Sequence, residues 1–277
     1  MAVGSPPGSA RIRARGRIYL VVAGVAALAV ALVVGVTLAT RQTPVQPKPL
    51  AGKPPVPSPL VTPVANEIRA AFAAWPHGTI TTLEGLAAAR PRDADVQLSL
   101  GLALVYGGYD SDAVTALQEA KRLGRDTSVE AQADSLLHPQ YFPGYPLFAY
   151  SGPNALLRRG AVLQAEGHQH SAERVYAEAA RRQPRSDEAE VAVAVGLFDK
   201  SDLTPAFSHL GPLTTRFPHS QTVRYYLGLL LAWTGQGDAA VTEFKRAVAL
   251  APGSALGRNA AEFLSRLQQV RTRTPER

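Results

Sequence analysis

The stretch QTVRYYLGLLLAWTGQGDAAVTEFKRAVALAPGS, residues 221–254, reads as two helices joined by a tight turn. Leu227, Leu231 and Phe244 are large and apolar, whereas Gly228 and Ala240 are small. Small residues let two helix backbones approach closely while the large ones fill the space beside the crossing. Gly235-Gln236-Gly237 breaks the helical pattern, Asp238 is placed to cap the second helix, and Pro252 stops it. One hairpin of this kind cannot bury its apolar face alone, so the reading requires neighbours of the same design.

The neighbours are present at a spacing of 34 residues. Pro252 is preceded by Pro218 and Pro184, Gly228 by Ala194 and Gly160, Ala240 by Ala206 and Ala172, and Phe244 by Leu210 and Tyr176. Three units follow one another, residues 153–186, 187–220 and 221–254, and residues 94–127 fit the same frame through Leu100, Gly101, Leu104, Ala113, Leu117 and Ala120. Period, small-residue slots and closing proline together resemble the tetratricopeptide repeat family. The resemblance implies an all-α solenoid of helical hairpins that acts by binding other proteins. Two positions depart from the pattern: Arg159 stands where Leu227 stands in the last unit, and Leu213 where Ala247 does, which predicts less regular crossings there. A helix at 255–270, with Leu256, Ala260, Phe263, Leu264, Leu267 and Val270 on one stripe, is expected to cap the stack. Residues 271–277 read as a polar tail.

The N-terminal part of the chain is organised differently. Ile18 to Thr40 is 23 residues without a charge, long enough as a helix to cross about 30 Å of hydrocarbon. Its length favours a transmembrane helix over a cleaved signal peptide, whose apolar core runs to about 7–15 residues. Arg11, Arg13, Arg15 and Arg17 sit directly before it in residues 1–17, against the sparser Arg41, Lys48 and Lys53 after it. This bias predicts a cytoplasmic N-terminus and an extracytoplasmic repeat domain. Residues 41–62, rich in proline, are expected to be an extended spacer; their other reading is a proline-rich ligand for a partner domain. The folded part is expected over 63–270, opening on an atypical hairpin in which Val64, Ile68, Phe72 and Trp75 recur at helical spacing and Thr81 with Glu84 forms a capping box.

Charge argues against a nucleic-acid surface. The net charge of +7 resides entirely in residues 1–62, which hold seven bases and no acid; the remaining 22 bases balance 22 acids. There is no cysteine, which removes thiolate chemistry and disulfides. No glycine-rich phosphate loop, nucleophile elbow or His-Glu-x-x-His helix is present, so no catalytic residue, metal or cofactor is expected. His168 and His170 form a pair without a third ligand nearby in sequence, which suits a solvated turn better than a metal.

Two regions remain as candidates for function. Residues 128–152 interrupt the repeat frame; 129–137 can continue as a helix, but Tyr141, Phe142, Tyr145, Phe148 and Tyr150, interleaved with Pro139, Pro143 and Pro146, form a loop too apolar to stay in water. It either covers open repeat surface or binds a partner. The family resemblance assigns the inner groove to first-helix positions: Leu98, Leu102 and Tyr106; Leu157 and Ala161; Val191, Val195 and Phe198; Tyr225, Leu229 and Trp233. Asn154 and Arg158 are its polar candidates, too few for a carboxylate clamp. Such an apolar lining suits an amphipathic segment of a protein partner, or the aromatic insertion itself. Membrane attachment is expected through residues 18–40; oligomeric state is left open.

Overall fold

The computed structural model describes residues 52–273, with side chains to residue 267. Among them it contains twelve helices: α1 (Ala65–Ala73), α2 (Thr79–Ala89), α3 (Ala94–Gly107), α4 (Asp110–Leu123), α5 (Ser128–Leu137), α6 (Ala155–Ala165), α7 (Gln169–Arg182), α8 (Asp187–Gly196), α9 (Thr204–Arg216), α10 (Gln221–Trp233), α11 (Gly237–Leu250) and α12 (Ala255–Arg273). Each packs chiefly on its neighbours in sequence, as in an all-α solenoid, except that α5 and α6 are not packed together. The expected transmembrane helix at 18–40 and its basic flank lie outside the described residues. No helix among the described residues is long and apolar enough to cross a membrane.

Helix starts recur with the repeat frame because the capping residues do. Ser186, Ser220 and Ser254 each accept a hydrogen bond from the backbone N–H three residues on, and Asp93 and Asn154 do the same for α3 and α6. The cap also reaches the preceding hairpin: Ser220 pairs with Asp187, and Ser254 Oγ donates to Gln221 Oε1 at 2.6 Å. Helix ends recur as well. Gly108, Gly167 and Gly235 follow α3, α6 and α10 with φ of 78°, 89° and 77°, a left-handed conformation that costs glycine little. In the same frame position after α8 stands Ser201. There the helix stops early at Gly196, and Leu197–Leu203 forms a wider turn held by an Asp199–Asp202 bridge.

The small-residue slots are filled as close packing requires. A Cβ added at Gly101 would lie 2.7 Å from the Leu117 side chain and one at Gly228 2.9 Å from the Phe244 ring; at Gly160 the Tyr176 ring is closer still. These crossings belong to two separate apolar cores. The first gathers Ile68, Phe72, Leu83, Leu98 and Leu117 from α1–α5. The second gathers Leu157, Tyr176, Phe198, Leu210, Tyr226 and Phe244 from α6–α11, with Phe148 of the insertion and Phe263 of α12 packed in.

Three expectations about local structure are revised. The later part of the proline-rich segment is no free spacer: Pro54 and Pro57 are buried. Val61 N–H donates to Asp95 Oδ2 at 2.9 Å, and Thr62 Oγ1 to Asp93 Oδ2 at 2.5 Å. The two acids at the start of α3 hold the chain there, and burial raises the Asp95 pKa against the help of that N–H. Thr81 caps nothing. α2 already starts at Thr79, behind Gly78 at φ 73°, and Thr79 Oγ1 donates to the Ala71 carbonyl at 2.8 Å, tying α2 to α1. Asp238 lies within the first turn of α11, one residue inside the helix, with Gln236 at the cap position. The insertion divides as expected: α5 takes its first ten residues and packs on α3 and α4, and residues 138–152 are not helical.

Candidate functional site

Residues 138–154 leave the end of α5 and run along the face presented by α6, α8 and α10. The direction is antiparallel to α10: Phe142 lies at Trp233, near that helix's end, and Ala149 at Tyr226, nearer its start. Three rings seat on this face in turn. Phe142 is 5.8 Å from Trp233 between ring centres, Tyr145 6.4 Å from Phe198, and Phe148 5.6 Å from Tyr176 and 5.0 Å from Tyr226. Phe148 is the anchor at 2% exposure, whereas Phe142 remains 52% exposed. Tyr150 stacks on Phe148, and Tyr141 on His138.

Polar groups on the same face address the backbone of the segment. Phe142 N–H donates to the Trp233 carbonyl at 3.1 Å, and Phe148 N–H to Gln164 Oε1 at 2.8 Å. Gln164 Nε2 donates to the Pro146 carbonyl at 3.2 Å. The Tyr226 hydroxyl accepts from Ala149 N–H at 2.9 Å and donates to the Ala149 carbonyl at 3.2 Å. Gln164 also accepts from Tyr176 OH and donates to Gln169 Oε1, so a buried amide has its acceptor and both donor directions engaged. Burial drives the Tyr176 and Tyr226 pKa values far above the ordinary phenol range, so both hydroxyls stay protonated.

The groove residues expected from the repeat frame are dispersed. Leu98 and Leu102 lie in the first core and Tyr106 packs edge-on to Trp75 at 6.4 Å, so the opening hairpin covers α3 and none of the three joins the face that holds the insertion. Leu157, Val195 and Leu229 are buried in the second core. Phe198 and Trp233 meet the insertion directly. Tyr225 is turned away: it packs on Phe244 and on Phe263 of α12, at 5.8 and 6.4 Å. Asn154 caps α6 and donates to Gln183 Oε1 at 2.7 Å, and Arg158 is exposed and donates to the Gly152 carbonyl. Tyr226, Gln164 and Tyr176 are the contact residues that sequence reasoning passed over. A usable signal was a buried-face glutamine and a tyrosine whose polar ends demand partners inside an apolar repeat.

A second feature lies where the two cores meet. In place of apolar stacking there is a polar seam. Lys121 Nζ of α4 bonds Asp134 Oδ1 at 2.7 Å and reaches across to Asp199 and Ser201. Asp126, in a left-handed conformation at φ 62°, receives Ser171 N–H at 2.9 Å and the Ser171 hydroxyl at 2.5 Å, so it caps α7 from the other half. His168 Nδ1 lies 2.7 Å from the Asp126 carbonyl oxygen and His170 Nε2 3.0 Å from Glu130 Oε1. The turn between α6 and α7 approaches so closely that a Cβ at Gly167 would meet Ser128 N at 2.9 Å. The buried Lys200 Nζ reaches Ser135 Oγ at 3.1 Å and lies over the Tyr145 ring.

Burial opposes the charges of Asp126 and Asp134, but hydrogen bonds outweigh it and hold both pKa values below the ordinary range: from Ser171 to Asp126, and from His138 and Lys121 to Asp134. A cavity of about 210 Å³ opens along the seam between Glu130, Tyr145, His170, Phe198 and Asp199. A wider recess of about 540 Å³ lies where residues 61–63 meet the start of α3; its acids, Asp93 and Asp95, already hold the chain segment. Among the described residues, no three histidine or carboxylate side chains are grouped to hold a metal ion.

No protein-family model matches this chain, and no curated protein is significantly similar to it.

Proposed function

We propose that the chain is a membrane-anchored scaffold of tetratricopeptide-repeat type, binding other proteins through the face of α6, α8 and α10, with residues 138–150 as its removable occupant. The observation that carries this reading is the way the insertion is held. Gln164, Tyr226 and Trp233 grip its main chain while three rings sit in successive seats, the combination of main-chain hydrogen bonds and aromatic pockets by which grooves hold extended peptides. The 34-residue frame and its small-residue slots support the repeat type, and the 23 uncharged residues from Ile18 to Thr40 support the anchor. The heavier basic flank before that segment favours an extracytoplasmic domain.

The test is proximity crosslinking in native membranes with a photoreactive residue at Trp233, comparing the intact chain with one in which His138–Tyr150 is replaced by a glycine-serine linker of equal length. A partner adduct in the replaced chain, with an internal adduct to the insertion in the intact one, is the expected result. Equal capture by both chains would show that the insertion is no gate. No partner adduct in either chain would end the scaffold reading.

A further inference from the structure

We infer that this face selects an extended, uncharged partner segment with an aromatic ring at every third residue and proline between the rings, bound in competition with residues 141–150. The inference rests on the scaffold reading and specifies its ligand. The occupant in place supplies the template. Phe142, Tyr145 and Phe148 are spaced by three, with Pro143 and Pro146 following the first two rings, and no Asp, Glu, Lys or Arg occurs from residue 138 to 157. A spacing of three keeps side chains on one side of an extended, proline-rich chain. Gly144, at φ 72°, bends the segment between the first and second seats.

Recognition divides into two parts. The hydrogen bonds from Gln164, Tyr226 and Trp233 reach only main-chain atoms, so any extended segment can make them. The seats supply the selection. They are walls of Trp233, Phe198 and Tyr226, and the middle one adds the Lys200 ammonium 5.9 Å from the Tyr145 ring centre. A cation over a ring face favours an aromatic over an aliphatic side chain there. A basic residue at the middle position would meet Lys200, and an acidic one at the enclosed Phe148 seat would be buried among rings without a partner. The occupant is also unevenly held. Its Phe142 end is half exposed while Phe148 is enclosed, so displacement starts at Phe142.

The experiment uses the full chain in detergent micelles and a fluorescently labelled peptide of residues 138–152 added in trans. The chain variant Phe142→Ala with Tyr145→Ala weakens the internal occupant but keeps the Phe148 anchor. A site closed most of the time binds more weakly by the fraction that is open. The variant is therefore expected to bind the peptide about tenfold or more tightly than the intact chain. A peptide with alanine at its three ring positions, or with the rings shifted by one residue, is expected not to bind.

Equal binding by intact and variant chains, or binding of the ring-free peptide as strong as the original, would overturn the inference. So would no binding to a variant with an unchanged helical melt. Should the double variant fail to fold, Phe142→Ala alone, at the half-exposed seat, is read by the same titration with the same criteria. Peptide binding without any partner in the membrane crosslinking would sink the scaffold reading and leave the ligand class standing. Crosslinked partners without peptide selectivity would do the reverse.

Discussion

Lys200 stands at 3% exposure with a serine hydroxyl and an aromatic ring as its near neighbours, and no carboxylate within 4.0 Å among the described residues. Its position follows from Ser201, the missing turn glycine: the wide Leu197–Leu203 turn carries the lysine inward. Burial pulls its pKa down to about 8, with the Asp134 charge working against the shift and the Lys121 charge adding to it. The folded pKa then lies below the unfolded one. Between about pH 8 and the unfolded value near 10.4 the unfolded chain holds more protons, so this group makes stability rise with pH through that window. At pH 7 the buried charge disfavours folding by about 3 kcal/mol at most, less the hydrogen bond to Ser135. Lys200→Met is expected to be more stable than the parent by about 1–3 kcal/mol at pH 7. Denaturant titrations at pH 7 and 9.5 check this: the gap should narrow at the higher pH, and a less stable variant at pH 7 would mean that the charge is used. Glycines offer a second test at this scale. Gly160→Ala drives a Cβ into the Tyr176 ring and is expected to destabilise by about 1–3 kcal/mol. Gly85→Ala on exposed α2, where a Cβ meets nothing within 4 Å, should gain about 0.4–1 kcal/mol. Paired melts of the two variants distinguish a packing slot from a merely flexible position.

At the scale of elements, one amide joins the insertion to the second core. Gln164 of α6 takes part in four hydrogen bonds, two of them to the insertion backbone. Gln164→Leu keeps the volume roughly but strands the Phe148 N–H, the Pro146 carbonyl and the Tyr176 hydroxyl in a buried site, which is expected to cost about 2–4 kcal/mol. Amide exchange reads the effect locally: Phe148 and Ala149 should exchange faster while α10 keeps its protection. Unchanged exchange would mean that ring packing with the Tyr226 and Trp233 hydrogen bonds holds the segment without Gln164. The reach and failure of sequence reasoning are both visible here. Helix number and repeat phase were legible, because Gly228, Ala240 and their counterparts 34 residues away repeat a steric requirement. That a loop of five rings among prolines must pack on something was legible from its apolarity. Where they settle was not. The repeat frame puts Tyr225 on the groove, yet the insertion meets Tyr226; on a helix one residue is a turn of about 100°. The capping helix competes for the Tyr225 side through Phe263, a contact between distant segments that no local pattern encodes. The first core was misjudged for the same reason: Leu98 and Leu102 look like groove positions until the opening hairpin lies over them.

For the molecule as a whole, the consequential feature is that two apolar cores meet through charge. Apolar stacking of repeats is strong and indifferent to pH, whereas a seam built on Asp134 with Lys121 and Asp126 with Ser171 depends on ionisation. Asp126 and Asp134 both have pKa values held below their unfolded values. Such carboxylates contribute stability that is fully present above the unfolded pKa, near 3.9, and is lost as pH falls through the folded one. Both of these carboxylates lie on the seam, so acid is expected to loosen it before it melts the helices. The absence of cysteine makes the measurement direct. Thr115→Cys on α4 and Lys245→Cys on α11, both exposed, report the distance between the halves when labelled. On acidification below about pH 4 the distance should change while helical circular dichroism holds. Asp126→Asn with Asp134→Asn should bring the same change to higher pH. If distance and helicity instead move together in a single transition, the two cores fold as one unit, and the seam is then only a solvated variant of ordinary repeat stacking. The insertion ties these scales together, since it leaves α5 on one side of the seam, gives Gly144 N–H to Ser135 there, and ends on the second core. Loosening the seam therefore withdraws support from the Phe142 end of the occupant first, the end that is already half exposed.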